Sequence, residues 1–507
     1  MKKRPNGING DGQIIEEGQL LKSVTQQASF SGLNIDPSFL KYQSQRRQHW
    51  DMVACTVGKS LGDYYHRRLS EVFRNMILPH QRLLELGCGQ GDLLSDLEPS
   101  FGVGIDFSSD MISRAKKRHP RFQFILSDAH QLPLVGVPFD VIVISDLLND
   151  VWDVHTIFEN LQSICHPGTK IIINTYSRLW ELPLSVTEKL GLAQPVLDRN
   201  WLTVDDIRNF LMVNGFEIVR NWQEILFPLD IPLLTAVCNR FMVRFWPFTQ
   251  FALTNFVLAH PCAQIRSSKP GVSIVIPARN EEGNIERIFT SLPVMDCETE
   301  LIFVEGNSRD RTFDAIQKCK EKYPEKHVIL LRQQGVGKGD AVRLGFENSN
   351  QDILMILDAD LTVPPHYLPR FYDAIYKGQG EFINGVRLVY PMEKKAMGFM
   401  NLVGNKFFSL LFTWLLGQSV KDTLCGTKVL WRQDYQRIAQ NRSYFGNFDP
   451  FGDFDLLFGA AKLGLKIIDV AVRYRDRTYG TTNISRWRHG LLLLRMAAVA
   501  ASRLKFV

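Results

Sequence analysis

Arg82-Leu-Leu-Glu85-Leu-Gly87-Cys-Gly89-Gln-Gly91 combines a short apolar run with a loop of three glycines, and helical sequence follows it. Glycine has no side chain, so the backbone of such a loop can approach a ligand closely. The spacing is GxGxG and not the GxGxxG of a dinucleotide loop, whose pyrophosphate needs the helix N-terminus. The stretch therefore predicts a strand, a ligand-binding turn and a helix at the start of an α/β domain.

Two later apolar runs in this half also end in carboxylates. Asp106 stands 19 residues after Gly87, at the end of the second run, where it can accept hydrogen bonds from both ribose hydroxyls. The third run ends in Ser127-Asp128-Ala129, and Asp128 is placed to bind an adenine amino group. Three strand ends in this order predict a site for an adenosyl group.

The first half alternates short apolar strands with helical stretches from about residue 50 to about residue 262. This alternation indicates a parallel sheet that is covered on both faces, and its last two strands look like a closing antiparallel pair. The predicted strands are residues 82–86, 102–106, 122–126, 141–145, 170–175, 216–223 and 251–259.

This half resembles a class I S-adenosylmethionine-dependent methyltransferase over roughly residues 50–262. The resemblance implies a Rossmann-like sheet and S-adenosylmethionine as the methyl donor. A hydroxyl acceptor would also need a general base. Asp146, Asp150 and His155 are candidates for that base, and a structural role is the alternative for each. The residues implied for cofactor binding are Glu85, Gly87, Gly89, Gly91, Asp106, Asp128 and Asp146, with Ile144-Ser145-Asp146-Leu147 lining the methyl-transfer channel.

A second alternation of strands and helices begins at residue 272. Its run at 353–357 is followed by Asp358-Ala359-Asp360, and two carboxylates at i and i+2 can both turn toward one Mg²⁺ or Mn²⁺. Such an ion would bridge diphosphate oxygens and neutralise charge on a departing nucleotide. The predicted strands are 272–277, 301–304, 328–331, 353–357 and 381–385, and the remainder is predicted to be mostly helical.

The second half resembles glycosyltransferase family 2, with the mixed sheet of the GT-A fold, over about residues 271–490. Its motifs Asn384-Gly-Val-Arg387, Asp422-Thr-Leu-Cys-Gly426-Thr-Lys428 and residues 472–480 are most similar to the dolichol- or polyprenyl-phosphate sugar transferases. The resemblance implies a nucleotide diphosphate sugar as donor. The residues implied for binding it are Pro277, Arg279, Glu281, Glu305, Lys338, Asp358, Arg387 and Arg477; Asp358 and Asp360 would bind metal, and Asp360 and Asp453 would be catalytic.

Two positions depart from the lipid-phosphate pattern. Thr362 stands where those enzymes usually have a glutamine near the metal. Asp453 matches the position of the general base in members that act on a hydroxyl, which needs deprotonation, whereas a phosphate acceptor is already ionised. The alternative for Asp453 is that it caps a helix beginning near Asp455. The sequence therefore leaves open whether the sugar acceptor is a phosphate or a hydroxyl. Since no QxxRW motif follows, processive polysaccharide synthesis is not expected.

Composition limits the remaining choices. At 507 residues the chain exceeds what one hydrophobic core usually serves, so two or more domains are predicted. The 59 basic residues nearly balance the 53 acidic ones, which gives a nucleic-acid partner no support. Eight scattered cysteines without a CxxC pair predict a reduced, cytoplasmic environment and no structural zinc. The sequence after Met1 is polar, so no signal peptide is expected.

Two segments of the second half suggest contact with a membrane surface. Residues 396–417 are apolar, but Asn401, Asn405, Ser409 and Thr413 recur every fourth residue, which favours a buried or interface-lying helix over a membrane span. The tail from Arg473 combines basic and apolar residues, as a helix on an anionic bilayer does, and packing on the core is the alternative. Peripheral association with the inner face of a membrane is thus expected.

We interpret the chain as a bifunctional transferase. The predicted domains are a disordered or loosely attached segment at 1–40, a methyltransferase at 41–262, a linker at 263–271 and a glycosyltransferase at 272–507 with a basic amphipathic tail. The acceptor of the sugar would be a polyprenyl phosphate or a related lipid or glycan. In the alternative, a glycan hydroxyl accepts the sugar and the first domain only binds or senses S-adenosylmethionine.

Overall fold

The structure is a computed structural model that describes residues 37–56, 63–133, 138–189, 197–262, 268–387, 389–390, 399–442, 453–475, 477, 479 and 486–506. The chain divides into two compact units between Cys262 and Ala263. Each unit contains one seven-stranded sheet. The predicted α/β class is therefore confirmed.

The sheet of the first unit has the strand order β3-β2-β1-β4-β5-β7-β6. Strands β1 to β5 run parallel to one another, and β7 is antiparallel to both β5 and β6. The predicted closing pair begins its second strand at Thr254, because Phe248–Phe251 forms a 3₁₀ turn. The strands are β1 Arg82–Leu86, β2 Phe101–Asp106, β3 Gln123–Leu126, β4 Val141–Ser145, β5 Lys170–Tyr176, β6 Phe216–Glu224 and β7 Thr254–Pro261.

Helices cover the strands of this sheet, so β1 and β4 are buried along almost their whole length. Helix ends are capped as the sequence dictates: Ser108 accepts a hydrogen bond from Met111 N, and Thr203 and Asp206 form a capping box. The helices are Pro37–Thr56, Asp63–Met76, Asp92–Asp96, Ser109–Arg118, Val154–Gln162, Glu181–Lys189, Val204–Val213 and Leu234–Ala236, with 3₁₀ or π turns at Arg178–Trp180, Val237–Phe241, Met242–Arg244 and Phe248–Phe251.

The predicted loosely attached segment at 1–40 overlaps the first of these helices. Helix Pro37–Thr56 begins inside that segment, and residues 1–36 lie outside the described part of the chain. The apolar residues of helix Pro37–Thr56 form no continuous stripe, so hydrophobic periodicity did not predict this helix. Of the predicted linker, residues 263–267 are not described. Pro270, further along it, accepts a hydrogen bond from Tyr372 at 2.7 Å.

The sheet of the second unit has the strand order β10-β9-β8-β11-β13-β12-β14 and is mixed. Strands β8 to β11 pair in parallel, β13 is antiparallel to β11 and β12, and β14 is parallel to β12. The strands are β8 Val272–Ala278, β9 Thr299–Glu305, β10 His327–Arg332, β11 Ile353–Ile356, β12 Phe382–Val386, β13 Lys428–Trp431 and β14 Ile467–Ala471.

Strands β13 and β14 correct the prediction that the remainder of this half is mostly helical. Strand β13 begins with Lys428 and β14 contains Asp469, so neither is a continuous apolar run of the kind that predicts a buried strand. The helices are Glu282–Ser291, Thr312–Lys322, Lys338–Glu347, Leu368–Tyr376, Phe399–Leu416, Arg432–Gln440, Asp453–Lys462 and Arg486–Ala500, with short turns at Pro365–Tyr367 and Ala501–Lys505.

Helix Phe399–Leu416 turns its polar stripe inward. Asn405 is buried, Ser409 Oγ donates to Val420 O at 2.8 Å, and Thr413 Oγ1 accepts from Val420 N at 3.1 Å. The side chain of Asn401 is outside the described set. Among the described residues, no helix has both the length and the hydropathy needed to cross a bilayer.

Candidate functional site

The glycine loop after β1 has a left-handed backbone. Gly87, Gly89 and Gly91 have φ values of 72°, 51° and 78°, which residues with side chains rarely adopt. A Cβ on Gly91 would also lie 2.6 Å from Phe124 Cζ. The loop therefore requires glycine for both its conformation and its packing, and it brings the Gly89 N–H to the end of β2.

Asp106 at the end of β2 receives two backbone hydrogen bonds. Gly89 N donates to Oδ2 and Ser108 N donates to Oδ1, both at 2.9 Å. Burial raises the pKa of Asp106, although these backbone donors oppose the shift. Each oxygen keeps a further lone pair, so Asp106 can accept from a ligand as predicted.

Glu85 is buried at the end of β1. Its Oε2 has no hydrogen-bond partner among the described residues, and burial raises its pKa well above the usual value. A buried acceptor without a partner is costly unless it is protonated or meets a ligand. Glu85 thus offers one carboxyl oxygen beside the glycine loop.

Asp128 is held by two side chains. Gln43 Nε2 donates to Oδ2 at 2.7 Å, and His130 Nδ1 lies 2.5 Å from Oδ1. Burial alone would raise the pKa of Asp128, but the hydrogen bonds from His130 and Gln43 outweigh it and lower the pKa. His130 Nε2 accepts from Asp153 N at 3.1 Å, which places the His130 proton on Nδ1.

Helix Pro37–Thr56 contributes to this site although no motif in the sequence pointed to it. Gln43 binds Asp128, and Asp51 is hydrogen-bonded to Ser108 Oγ, two residues after Asp106. The helix therefore contacts the loops that carry two of the three predicted carboxylates.

Asp146 follows β4 with a left-handed φ of 53°. Tyr65 OH donates to both carboxylate oxygens, at 2.9 and 3.0 Å, and Asn174 Nδ2 donates to Oδ1 at 2.6 Å. Burial raises the pKa of Asp146 to about 7. Tyr65 stacks on Tyr176 with ring centroids 5.7 Å apart. These partners lie far from Asp146 in sequence, so sequence reasoning missed them.

The other two candidates for a general base have structural partners. Asp150 forms an ion pair with Arg46 and accepts from Trp50 Nε1 at 2.7 Å. His155 is exposed on the first turn of its helix, where its N–H donates to the capping residue Asp153. The structural alternative is therefore favoured for Asp150, whereas the role of the His155 side chain stays a prediction.

In the second unit, the paired carboxylates after β11 each meet a cation. Lys338 Nζ lies 2.6 Å from Asp358 Oδ1, and Arg477 Nη2 donates to Asp360 Oδ2 at 2.5 Å. Burial opposes ionisation of Asp358, but Lys338 outweighs it and lowers the pKa. Thr362, which stands where a glutamine was expected, donates through Oγ1 to Asp360 Oδ1 at 2.8 Å.

These carboxylates fit a divalent cation that arrives with a ligand. No group of three or more His, Cys, Asp or Glu suited to a metal occurs among the described residues. Mg²⁺, however, is commonly held by one or two carboxylates together with substrate phosphates and water. Asp358 and Asp360 supply that number of carboxylates, and a diphosphate would supply the rest.

Glu281 lies at the same edge of the sheet. Its Oε2 accepts from Asn284 Nδ2 at 2.7 Å, and its Oε1 is 3.8 Å from Arg477 Nη1. Burial raises the pKa of Glu281 to about 7, and the Asp360 charge adds to the effect. Arg477 therefore lies between Glu281 and Asp360.

The remaining predicted contacts fall at the ends of β8 and β9. Pro277 is partly exposed within β8, and Arg279 follows the strand with an exposed side chain. Glu305 ends β9, where it is buried and accepts from Ser308 N at 2.5 Å. These positions agree with a ligand at the carboxyl ends of parallel strands, but their roles stay predictions.

Two predicted residues differ from expectation or are not described. Arg387 is buried and bidentate on Asp422, through Nε at 2.7 Å and Nη2 at 2.9 Å. Two of its five N–H donors are thus used on Asp422, and its predicted contact with phosphate oxygens stays a prediction; Arg477 meets Asp360. Asp453 is the first residue of helix Asp453–Lys462, but its side chain is outside the described set, so its role as a base stays a prediction.

Comparison with known proteins matches each unit to a separate family. The model of a methyltransferase domain matches residues 77–216, and that of glycosyl transferase family 2 matches residues 273–439.

Curated relatives match only parts of the chain. A dolichol-phosphate mannosyltransferase from Pyrococcus furiosus is 34% identical over 109 residues, 21% of this chain and 30% of the relative. An undecaprenyl-phosphate 4-deoxy-4-formamido-L-arabinose transferase from Photorhabdus laumondii is 27% identical, over 42% of this chain and 63% of the relative. A dolichyl-phosphate hexose transferase from Haloferax volcanii is 27% identical, over 43% and 89%. The chain thus spans less than two thirds of the first two relatives. The chain carries a methyltransferase domain followed by a glycosyltransferase family 2 domain.

Proposed function

We propose that the protein is a bifunctional enzyme: its first unit transfers a methyl group from S-adenosylmethionine, and its second transfers a sugar from a nucleotide diphosphate sugar to a polyprenyl phosphate. The observation that carries the proposal is that each unit gathers carboxylates at the carboxyl ends of its parallel strands. Asp106 and Asp128 do so in the first sheet, and Asp358 and Asp360 in the second.

In the first unit the residues act by positioning. Asp106 has lone pairs for ribose hydroxyls, and Asp128 stays ionised to accept from an adenine amino group. Transfer of a methyl group from a sulfonium depends mainly on holding donor and acceptor in line. Asp146, with its pKa raised to about 7 by burial, can take a proton from a hydroxyl acceptor near neutral pH.

In the second unit the residues act mainly by stabilising the negative charge of the diphosphate. Asp358 and Asp360 would hold a divalent cation, which would supply Lewis-acid stabilisation of the nucleoside diphosphate leaving group. Lys338 and Arg477 place two more positive charges beside these carboxylates, where they can bind phosphate oxygens. Attack by the acceptor from the opposite side would invert the anomeric centre.

A lipid phosphate is the acceptor that the relatives favour. The three relatives above are named for transfer to dolichol phosphate, undecaprenyl phosphate and dolichyl phosphate. A phosphate is ionised at neutral pH and needs no general base. With this acceptor, Asp453 has no catalytic task.

A lipid acceptor also fits the outer surface of the second unit. Val403, Phe407 and Leu410 are exposed on helix Phe399–Leu416, and Leu491 and Leu494 are exposed on helix Arg486–Ala500. We call these five side chains the C-terminal apolar surface. The two helices pack together near the Trp414 and Phe506 rings, whose centroids are 5.7 Å apart. Basic residues at 495, 503 and 505 follow. Apolar side chains flanked by positive charge suit peripheral contact with an anionic membrane.

The test uses three variants of the full chain. Asp358→Asn with Asp360→Asn should reduce sugar transfer to polyprenyl phosphate at least about hundredfold and leave S-adenosylmethionine binding intact. Asp106→Asn should weaken S-adenosylmethionine binding and leave sugar transfer intact. Asp453→Asn should leave the rate with polyprenyl phosphate unchanged. If sugar transfer survived the loss of both Asp358 and Asp360 carboxylates, the assignment would be wrong.

A further inference from the structure

Arg199 lies over the face of Tyr176, with its guanidinium carbon 4.9 Å from the ring centroid. Tyr176 stacks in turn on Tyr65, whose hydroxyl donates to both carboxylate oxygens of Asp146. Burial raises the pKa of Asp146 to about 7, and the Tyr65 hydrogen bond and the Arg199 charge both oppose that rise. The stack therefore connects a cation at one end with the partly exposed Asp146 carboxyl at the other.

The backbone beside Arg199 is fixed by hydrogen bonds. Asn200 N donates to Asn149 O at 2.8 Å, and Asn149 Nδ2 donates to Asn200 O at 2.7 Å. The side chain of Asn149 also accepts from Tyr176 N at 3.0 Å. Asn149 is 2% exposed, so these contacts are buried. They hold Arg199 beside the end of β5 and the loop after β4.

The charge of Arg199 is not neutralised by the protein. Among the residues that the structure describes, its guanidinium forms no hydrogen bond or ion pair, although the side chain is half-buried. Other buried arginines of this unit do have carboxylate partners: Arg46 pairs with Asp150, and Arg244 pairs with Glu224. A cation that is partly removed from water is costly unless an anion meets it. Arg199 therefore offers its donors to a ligand.

The positive potential around Arg199 extends to helix Pro37–Thr56. Burial lowers the pKa of His49, and the charges of Arg46 and Arg199 add to that effect. His49 is thus neutral near pH 7 and does not supply a second cation. Since Asp150 neutralises Arg46, the positive charge available to an anion here comes from Arg199.

From this arrangement we propose that Arg199 binds an anionic group of the methyl acceptor, a carboxylate or a phosphate monoester on the same molecule whose hydroxyl receives the methyl group. The inference rests on the proposed methyl transfer and names the class of its acceptor. A guanidinium can stack on an aromatic ring and at the same time donate two parallel hydrogen bonds to carboxylate or phosphate oxygens. Tyr176 thus orients the donors of Arg199 without using them.

Asp146 takes the hydroxyl proton while the acceptor oxygen attacks the methyl carbon. The new oxygen–carbon bond forms as the sulfur–carbon bond breaks, and the electron pair of the broken bond stays on sulfur. The anionic group also neutralises Arg199, whose charge opposes protonation of Asp146. Asp146 therefore becomes a stronger base when the acceptor is bound.

The test follows the titration of Asp146 by carbon NMR in the full chain made with carboxyl-labelled aspartate, and Asp146→Asn identifies the signal. The probes are acetate and sulfate, compared with sodium chloride at equal ionic strength. Sulfate stands in for a phosphate monoester because its charge is constant near neutral pH. At least one probe should raise the pKa of Asp146 by about 0.5 or more in the unaltered protein. A response to acetate indicates a carboxylate, and a response to sulfate indicates a phosphate.

Arg199→Met should raise the pKa of Asp146 without any added anion and abolish the response to both probes. Arg199→Lys, which keeps the charge, should retain a response. The matched control is Arg121→Met, which removes an arginine that lies 4.4 Å over the Phe122 ring of the same unit, and it should behave as the unaltered protein does.

The proposal is overturned if neither probe shifts the titration in the unaltered protein, or if Arg199→Met responds as strongly. Arg199 would then only pack on Tyr176. Calorimetry with S-adenosylmethionine separates this result from a failure of the proposed function. All the arginine variants should bind that donor as the unaltered protein does, and absence of binding to the unaltered protein would overturn the methyl transfer itself.

Discussion

Lys338 Nζ and Asp358 Oδ1 form a 2.6 Å ion pair at the edge of the second sheet. The positive charge keeps Asp358 ionised, so a carboxylate stands ready for a cation. In the proposed reaction a diphosphate and its cation would enter here, and Lys338 would turn to the phosphate oxygens. The pair would then link metal binding to nucleotide binding.

Replacing Lys338 should weaken nucleotide binding without weakening metal binding. Lys338→Met leaves Asp358 without its partner, so Mn²⁺ alone should bind at least as tightly as before. Nucleoside diphosphate should bind about tenfold or more weakly, since a charge-assisted hydrogen bond is lost. Calorimetry with each ligand measures both effects. Lys377→Met, which removes an exposed pair with Asp373, is the control, and an equal loss there would contradict the assignment.

Gly426 packs against this ion pair. A Cβ at that position would overlap both Asp358 Oδ2 and Lys338 Nζ. Gly426→Ala should therefore displace Asp358 and reduce sugar transfer at least about tenfold, with S-adenosylmethionine binding unchanged. At Gly404, on a helix, a Cβ would meet nothing within 4 Å, so Gly404→Ala should retain activity and stabilise the helix by about 0.5–1 kcal/mol. A rate assay of the pair tests this, and similar rates would show that Asp358 tolerates the shift.

Glu281 should make the stability of the second unit depend on pH. Its pKa is raised to about 7 by burial, above that of an exposed glutamate. The stability that its protonated form contributes is thus fully present below about pH 4.5 and is lost as the pH rises through about 7. Glu281→Gln should flatten this decline in denaturant midpoints taken across that range. Glu286→Gln, at an exposed pair with Lys322, should keep it, and a decline that persists in Glu281→Gln would rule Glu281 out as its source.

Asn239 should matter more to stability than its exposed apolar neighbours. Asn239→Ala removes three hydrogen bonds to Phe227 and Tyr64, so the free energy of unfolding should fall by about 2–3 kcal/mol. Leu233→Ala, at an exposed position, should change it by no more than about 0.5 kcal/mol. Urea unfolding compares them. A larger loss of unfolding free energy for Leu233→Ala than for Asn239→Ala would mean that Leu233, and not Asn239, is packed against the protein.

The parallel strands could be predicted because burial on both faces makes them continuous apolar runs. The predicted bounds of β1 and β4 agree with the structure to the residue. Polar residues that follow such runs, such as Asp106 and Asp358, could be placed at strand ends for the same reason. Strands β13 and β14 could not, since Lys428 at the start of β13 and Asp469 within β14 leave neither as a continuous apolar run.

The partners of these strand-end residues could not be predicted. Gln43 and Tyr65 come from helices that precede the first strand and lie 85 and 81 residues from Asp128 and Asp146. Whether Arg387 faced a ligand or Asp422 depended on a long-range contact. Composition and spacing indicate which interactions a residue can form, whereas these long-range contacts determine which partner it binds.

The hydrogen bond from Gln43 to Asp128 has a consequence for how the first site fills and empties. In the proposed function, an incoming nucleobase would bind an Asp128 carboxylate whose Oδ2 already accepts from the Gln43 amide. Gln43 belongs to a helix that is also hydrogen-bonded to Ser108 through Asp51, so we expect loss of the Gln43 contact to change the rate at which the spent donor leaves. Stopped-flow release rates of Gln43→Ala would measure that change.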